Sequence, residues 1–140
     1  MLSALVIIGL MSGAVLMTLP SAKPPALVYA DSMTRDLNRA AQNAMTAGRP
    51  YGFGLSPAGY SIYAFENEVW TPVNSADTEG SVAAALEIEG APVKDLPESG
   101  PLIVFEPTGM NRPFSVMVSG DKARFEVIAD GAGKTVMREL

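Results

Sequence analysis

The chain has 140 residues, carries a net charge of −5 at neutral pH and contains neither cysteine nor histidine. These absences exclude disulfides, thiolate and imidazole catalysis, and the usual zinc and copper ligands. The acidic balance argues against a nucleic-acid partner, because phosphate binding requires a basic face. Thirteen glycines and eleven prolines are typical of a chain with many short strands joined by turns.

An apolar run opens the chain. Residues 1–19 contain no charged side chain, and Pro20 ends the run. As a helix, the run would be about 28 Å long, close to the hydrocarbon thickness of a bilayer. A cleavable signal peptide would carry a basic residue before its apolar core, and a buried soluble helix would keep a polar stripe. We therefore predict a membrane span, although the flanking charges do not define its orientation.

A proline-rich break and a second helix follow. Residues 20–25, PSAKPP, cannot continue a helix unbent, and Lys23 within them is the first charged residue of the chain. Apolar residues then recur at spacings of three and four, which predicts a helix over about residues 26–47 with Gly48 as its C-terminal cap. The predicted inward face comprises Ala30, Met33, Leu37, Ala40 or Ala41, and Ala44.

From Pro50 onward the apolar period changes to two, which predicts strands. A hairpin is expected first, with its turn over residues 56–59. The predicted strands cover approximately residues 51–55, 60–66, 69–73, 81–88, 102–105, 114–119 and 123–129, and a final turn over residues 130–133 leads into residues 134–140. Residues 74–80 are expected to be a polar loop. Residues 81–88 could be helix or strand, and we favour a strand because a polar loop and a Gly-Ala-Pro turn bracket them.

These elements predict an α+β fold. A long, kinked N-terminal helix, transmembrane in its first part, would pack on a β-rich head of about seven short antiparallel strands. The chain would divide into a hydrophobic transmembrane or filament-core helix over 1–19, an amphipathic continuation over 20–49, and a head domain over 50–140.

No catalytic, cofactor-binding or metal-ligating residue is predicted. Residues 131–135, GAGKT, contain part of a phosphate-binding loop, but Ile128 stands where the loop requires glycine, so we interpret them as a hairpin turn. Glu87 and Glu89 would share one strand face, and Asp77 and Glu79 would lie in a loop. Calcium loops usually contain more acidic ligands and a fixed glycine, so solvated surface is the better interpretation of both pairs.

Three parts of the chain carry a family resemblance. Residues 1–10, MLSALVIIGL, resemble the apolar N-terminal helix of type IV pilin-like proteins, and residues 13–16, GAVL, continue it. In the head, residues 44–52 pass through Gly-Arg-Pro into a strand, Tyr60 follows an x-x-G turn, and residues 104–109 read VFEPTG. These segments resemble H-type minor pseudopilins of type II secretion systems, the GspH/FimT family, over essentially the whole chain.

The resemblance implies a non-enzymatic structural subunit without a cofactor. Such a protein crosses the inner membrane of a Gram-negative bacterium once and holds its head in the periplasm. Its implied partners are other minor and major pseudopilins, the inner-membrane secretion platform and membrane lipid, and no nucleic acid is expected. The residues expected to form the membrane and assembly helix are Leu2, Leu5, Val6, Ile7, Ile8, Gly9, Leu10, Gly13, Val15 and Leu16.

The beginning of the chain departs from the family pattern. The family's leader ends in glycine before an aromatic residue, with an acidic residue a few positions later, and none of these is present. Aligned on the apolar run, Met1 falls directly after the acidic position. We therefore expect that the sequence starts late, at an internal methionine, and is truncated of its prepilin motif.

Two alternatives stay open. The first is a type IV pilus minor pilin of the FimT/FimU type, with a role in pilus assembly or DNA uptake. The basic residues of this chain are too dispersed to favour DNA binding. The second is a membrane-anchored periplasmic enzyme, which would require convergent titratable groups that the sequence does not offer.

Overall fold

The computed structural model describes residues 24–77, 82–93, 100–121 and 123–140. One helix precedes nine strands in these residues, which confirms the α+β prediction. The elements are α1 (Pro25–Ala47), β1 (Tyr51–Ser56), β2 (Gly59–Glu66), β3 (Val69–Asp77), β4 (Ala83–Ile88), β5 (Ala91–Pro92), β6 (Ile103–Phe105), β7 (Phe114–Ser119), β8 (Arg124–Ala129) and β9 (Thr135–Glu139).

Helix α1 begins and ends where the sequence predicts. Pro25 occupies its first turn, where a missing N–H costs nothing, and Gly48 closes it in the left-handed conformation with φ of 67°. The Gly48 N–H donates to the Ala44 carbonyl at 3.0 Å. The buried face of α1 contains every residue of the predicted inward face, and consists of Ala26, Tyr29, Ala30, Met33, Leu37, Ala40, Ala41 and Ala44.

The strands form two antiparallel sheets. The four-stranded sheet has the order β3-β2-β1-β6, and the five-stranded sheet has the order β5-β4-β7-β8-β9. The predicted β1–β2 hairpin is present, with Ser56 paired to Gly59 across its turn. Residues 83–88 form a strand, as we favoured, and Ile103–Phe105 lies within the predicted 102–105 run. The two-residue strand β5 was not predicted.

The predicted polar loop over 74–80 is wrong for its first four residues. Strand β3 continues to Asp77, because β2 is long enough to pair with it as far back as Gly59. Most side chains of β3 are exposed, since it is an edge strand, and polar residues therefore do not interrupt its pairing. Residues 78–80 lie outside the described part of the chain.

One hydrophobic core joins the helix to both sheets. A row of aromatic contacts crosses it: Tyr29 meets Tyr60 with ring centroids 5.4 Å apart, and Tyr60 meets Phe53 at 5.9 Å. Phe53 of the four-stranded sheet then stacks on Phe114 of the five-stranded sheet at 5.8 Å. Because these rings come from three layers, the helix and the two sheets pack as one unit.

The predicted membrane and assembly helix, including all of its residues from Leu2 to Leu16, lies outside the described residues. Among the residues described, no helix combines the length and the apolar character that a membrane span requires. The division of the chain at residues 19 and 49 therefore stays a prediction.

Candidate functional site

A groove runs between α1 and the edge strand β3. The helix packs on β8 and β9 and, less extensively, on β1, β2, β6 and β7. Two cavities open between the helix and β3, and we call the space that contains both the α1–β3 groove. The basal cavity, at the start of α1, has a volume of about 310 Å³ and is lined by Pro25, Val28, Tyr29, Ser32, Ala76 and Asp77. The distal cavity has a volume of about 370 Å³ and is lined by Asp36, Arg39, Ala40, Asn43, Tyr51, Ile62, Val73 and Asn74.

A polar triad, formed by Ser32, Asp36 and Tyr60, includes one residue from the wall of each cavity. The Tyr60 hydroxyl donates to Asp36 Oδ2 at 2.7 Å, so the 2.6 Å contact between this hydroxyl and Ser32 Oγ has serine as the donor. Burial raises the pKa of Tyr60 most, the hydrogen bond from Ser32 lowers it, and the hydrogen bond to Asp36 and the charge of Asp36 raise it again. The phenol of Tyr60 thus stays neutral, and it links β2 to the polar side of α1.

Tyr29 lies beside the triad but differs from Tyr60 in its hydrogen bonding. Its side chain is 6% exposed, and its buried hydroxyl has no hydrogen-bond partner among the described residues. Burial raises the pKa of Tyr29 to about 12, and the negative charge of Asp77 adds to the effect. A buried hydroxyl that lacks a partner costs roughly 1–3 kcal/mol. The basal cavity therefore has an unsatisfied polar group in its wall.

Apolar side chains flank the groove. Val28 on α1 and Val73 on β3 are each 53% exposed, and each lines one of the two cavities. At Val73 the pairing of β3 with β2 is irregular, because the register shifts between Ile62 and Tyr63. Together with Pro72, which lacks an N–H, such an irregularity discourages uncontrolled pairing at an edge strand.

The glycine-rich segment at residues 131–135 forms a hairpin turn, as we interpreted it. Asp130 Oδ1 accepts hydrogen bonds from the N–H groups of Ala132 at 2.8 Å and Lys134 at 3.0 Å. These two bonds lower the pKa of Asp130, and the bond from Lys134 contributes most. The backbone donors that a phosphate would need are therefore occupied by the chain's own carboxylate.

The paired carboxylates do not form a site. Glu87 lies in β4, but Glu89 follows the strand in a turn with φ of 53°, so the prediction that both share a strand face is wrong. Glu89 accepts a hydrogen bond from Arg112 at 3.5 Å. Asp77 is part of β3 rather than of a loop, and Glu79 is not described. Within the described ranges, no group of three acidic residues is arranged to hold a metal ion.

The sequence did not predict the α1–β3 groove or the triad. Asp36 is not part of the predicted inward face of the helix, and yet it is half-buried against Tyr60. Tyr29 could have been found, because it lies one turn before Met33 on the inward face. The burial of Asp36 could not have been found from local pattern, because its partner Tyr60 is 24 residues away along the chain.

A long helix packed on two antiparallel sheets in one core defines the class of the molecule as a pilin-like head. A sequence model of the family described as "Type II transport protein GspH" matches residues 29–133, three quarters of the chain. The chain therefore belongs to this family, and the resemblance to H-type minor pseudopilins is confirmed.

Solved structures agree in fold. The minor pseudopilin EpsH from the type II secretion system of Vibrio cholerae superposes with a TM-score of 0.67 at 17% identity, over 83% of this chain and 95% of EpsH. The solution structure of Escherichia coli GspH superposes with a TM-score of 0.62 at 18% identity, over 82% and 88% of the two chains. At these identities the likeness shows the fold alone. No significant match is found among curated proteins.

Proposed function

We propose that this chain is a minor pseudopilin, a structural subunit of the pseudopilus of a type II protein secretion system. The observation that carries the proposal is the family match over residues 29–133, which includes most of α1 and all strands up to β8. In this role the protein supports the export of folded proteins across the outer membrane through assembly rather than catalysis.

The geometry of α1 suits a subunit in which the helix sets the position of the head. The helix has 23 residues, and at ~1.5 Å per residue it is about 34 Å long. One face of it is built into the core of the head, so head and helix move together. The apolar residues 1–19 precede the start of this helix and would anchor it in the inner membrane, with the head in the periplasm.

The proposed partners are other minor and major pseudopilins in a complex near the pseudopilus tip, and the inner-membrane secretion platform. Ala4, Gly9, Ser12, Gly13 and Ala14 in the apolar run are small. Small residues let helices approach closely in lipid, where packing drives association. The same run would contact membrane lipid before the subunit enters the filament.

The test is to delete the gene in its native bacterium and to measure export. Without the protein, exported enzymes should accumulate in the periplasm, and the full chain should restore secretion. Leu10→Arg should fail to restore it, because an arginine at the centre of a span costs roughly 2.5–3.5 kcal/mol on insertion scales. Val136→Arg, at an exposed site of the head, is the matched control and should restore it. Normal secretion together with lost pilus function would support the pilus alternative instead.

A further inference from the structure

The basal cavity presents hydrogen-bond acceptors to a ligand. Asp77, which is exposed, contributes a carboxylate, and Ser32 contributes a hydroxyl. Because Ser32 gives its proton to Tyr60, its Oγ has only acceptor capacity left. The third polar group is the hydroxyl of Tyr29, which is buried in the wall and has no partner among the described residues. The cavity therefore suits a ligand that donates several hydrogen bonds and accepts none.

The charges around the cavity favour a cation. None of the ion pairs formed within the described ranges includes Asp77, so no described side chain neutralises its carboxylate. The start of a helix attracts anions through its free N–H groups, but α1 begins with few of them. Pro24 and Pro25 have no N–H, and the N–H groups of Leu27 and Val28 both donate to the Pro24 carbonyl. A cation is therefore preferred over an anion.

The arrangement of acceptors distinguishes an ammonium group from a guanidinium group. An ammonium group points three donors in different directions, which matches acceptors carried by three separate side chains. The donors of a guanidinium group lie in one plane and suit the two oxygens of a single carboxylate. The rest of the lining is apolar and offers a surface for the carbon stem of a lysine; it comes from Pro25, Val28 and Ala76. A lysine side chain therefore matches both parts of the cavity.

A free amine would bind this cavity only at high concentration. Asp77 is exposed, and water screens an ion pair at an exposed carboxylate. Further contacts are needed for firm binding, and the α1–β3 groove provides apolar surface for them, because Val28 and Val73 are each 53% exposed. A lysine that is presented by the surface of another protein can use the cavity and these valines together.

We propose that the basal cavity is the docking site for a lysine side chain of a neighbouring subunit, whose ammonium group binds Asp77, Ser32 and the hydroxyl of Tyr29. The exposed valines of the α1–β3 groove contact the apolar surface around that lysine. Since the cavity is shared by the helix and the edge strand, the contact sets the orientation of one head against the next. The inference deepens the proposed function and rests on it for the identity of the neighbour as another pilin-like subunit.

Zero-length cross-linking in isolated cell envelopes tests the contact in the assembled system. A carbodiimide activates the Asp77 carboxyl, the lysine amine attacks it and loses a proton, and an amide forms as the reagent leaves as its urea, having taken up the elements of water. Mass spectrometry should identify an amide from Asp77 to a lysine of another pilin-like subunit, in an adduct larger than one chain. Asp77→Asn should abolish this adduct. Glu139→Gln, which changes another exposed carboxyl group on an edge strand, is the matched control and should retain it.

Two results of the cross-linking would overturn the inference. The first is an amide from Asp77 to a lysine of the same polypeptide, found at the mass of a single chain. The second is the absence of any amide at Asp77 in envelopes from cells that secrete normally. The deletion strain tests the proposed function separately through export, so normal export without the amide would remove this inference and leave the proposed function standing.

A titration of the full chain in non-ionic detergent micelles tests the chemistry of the cavity without a partner. The probe n-butylammonium, at high concentration, should shift the amide NMR signals of Tyr29, Ser32 and Asp77 in a saturable manner, and butyrate at equal ionic strength should not. Tyr29→Phe and Asp77→Asn should each weaken the binding of n-butylammonium several-fold, whereas Glu139→Gln should leave it unchanged. Equal shifts with butyrate, tighter binding of n-propylguanidinium, or unchanged binding in both cavity variants would contradict the assignment of a lysine.

Discussion

The two sides of α1 differ in how the rest of the head covers them. Toward β8 and β9 the helix is closely packed, and Ala30, Met33, Leu37 and Ala44 have no measurable exposure. Toward β3 the helix borders two cavities, and on this side Ser32 and Asp36 form hydrogen bonds with Tyr60 of β2. One helix therefore serves two purposes, since its first side stabilises the fold and its second leaves a groove whose described wall contains one unsatisfied group, the hydroxyl of Tyr29.

Small side chains explain why the rest of the head approaches the packed side of α1 closely. A Cβ placed on Gly133 would lie 3.6 Å from Cβ of Ala41, and one on Gly120 would lie 3.0 Å from Cβ of Ala26. The turns at both ends of β8 thus approach the helix where it presents alanine. Among the described strands, β3 is hydrogen-bonded only to β2, at the edge of its sheet.

The largest effect should come from the packed side. Leu37→Ala removes a fully buried side chain and should lower the free energy of unfolding by about 2–5 kcal/mol, through lost transfer energy and a cavity. Val28→Ala, on the groove side and half exposed, should change it by less than about 0.5 kcal/mol. Urea unfolding of the full chain in detergent measures both, and equal effects would contradict the contrast between the two sides.

A glycine on the groove side tests how firmly β3 is held. A Cβ on Gly59 would lie 2.1 Å from the carbonyl oxygen of Ala76, so the β2–β3 pairing must shift in Gly59→Ala. We expect a loss of about 3 kcal/mol. Gly90→Ala is the matched control, because Gly90 also has a positive φ but no atom within 4 Å of its added Cβ, and should cost only about 1 kcal/mol. Equal losses in thermal unfolding would show that β3 adjusts freely.

Asn38 connects the helix to the free edge of β9. Its side chain donates to the Thr135 carbonyl and accepts from the Thr135 N–H, both at 2.8 Å. Asn38→Ala leaves two part-buried backbone groups without partners and should cost about 1–3 kcal/mol. Gln42→Ala, at an exposed position of the same helix, should be neutral within about 0.5 kcal/mol. Amide hydrogen exchange at Thr135 should accelerate in the first variant, and unchanged exchange would remove this bond from the account.

The smallest effect concerns alkaline pH. Because burial raises the pKa of Tyr29 to about 12, the unfolded chain releases this proton near pH 10 while the folded chain retains it. Stability should therefore be unaffected below pH 10 and fall as the pH rises toward 12. The loss from Tyr29 is about 1 kcal/mol at pH 11. Tyr29→Phe should show a correspondingly smaller fall between pH 9 and 11, and parallel curves for the two proteins would contradict the burial of this hydroxyl.

Local pattern was sufficient for the parts of the fold that repeat along the chain. The spacing of apolar residues predicted α1, and Gly48 predicted where this helix ends. The alternation of apolar and polar residues predicted the β1–β2 hairpin. The extension of β3 to Asp77 was missed because exposed edge residues carry no apolar signal. The groove was missed because it depends on where α1 crosses the sheets, and contacts such as Tyr60 with Asp36 join distant residues.

Membership of a pseudopilus is the central claim, and cross-linking in the native bacterium tests it most directly. The full chain, carrying a purification tag, would be cross-linked in living cells, extracted from the inner membrane and identified with its adducts by mass spectrometry. A pseudopilus subunit should give adducts with other pilin-like subunits of the secretion system, and these should be lost when Leu10→Arg prevents anchoring. Isolation of the protein without any such subunit, from cells that secrete actively, would contradict this membership.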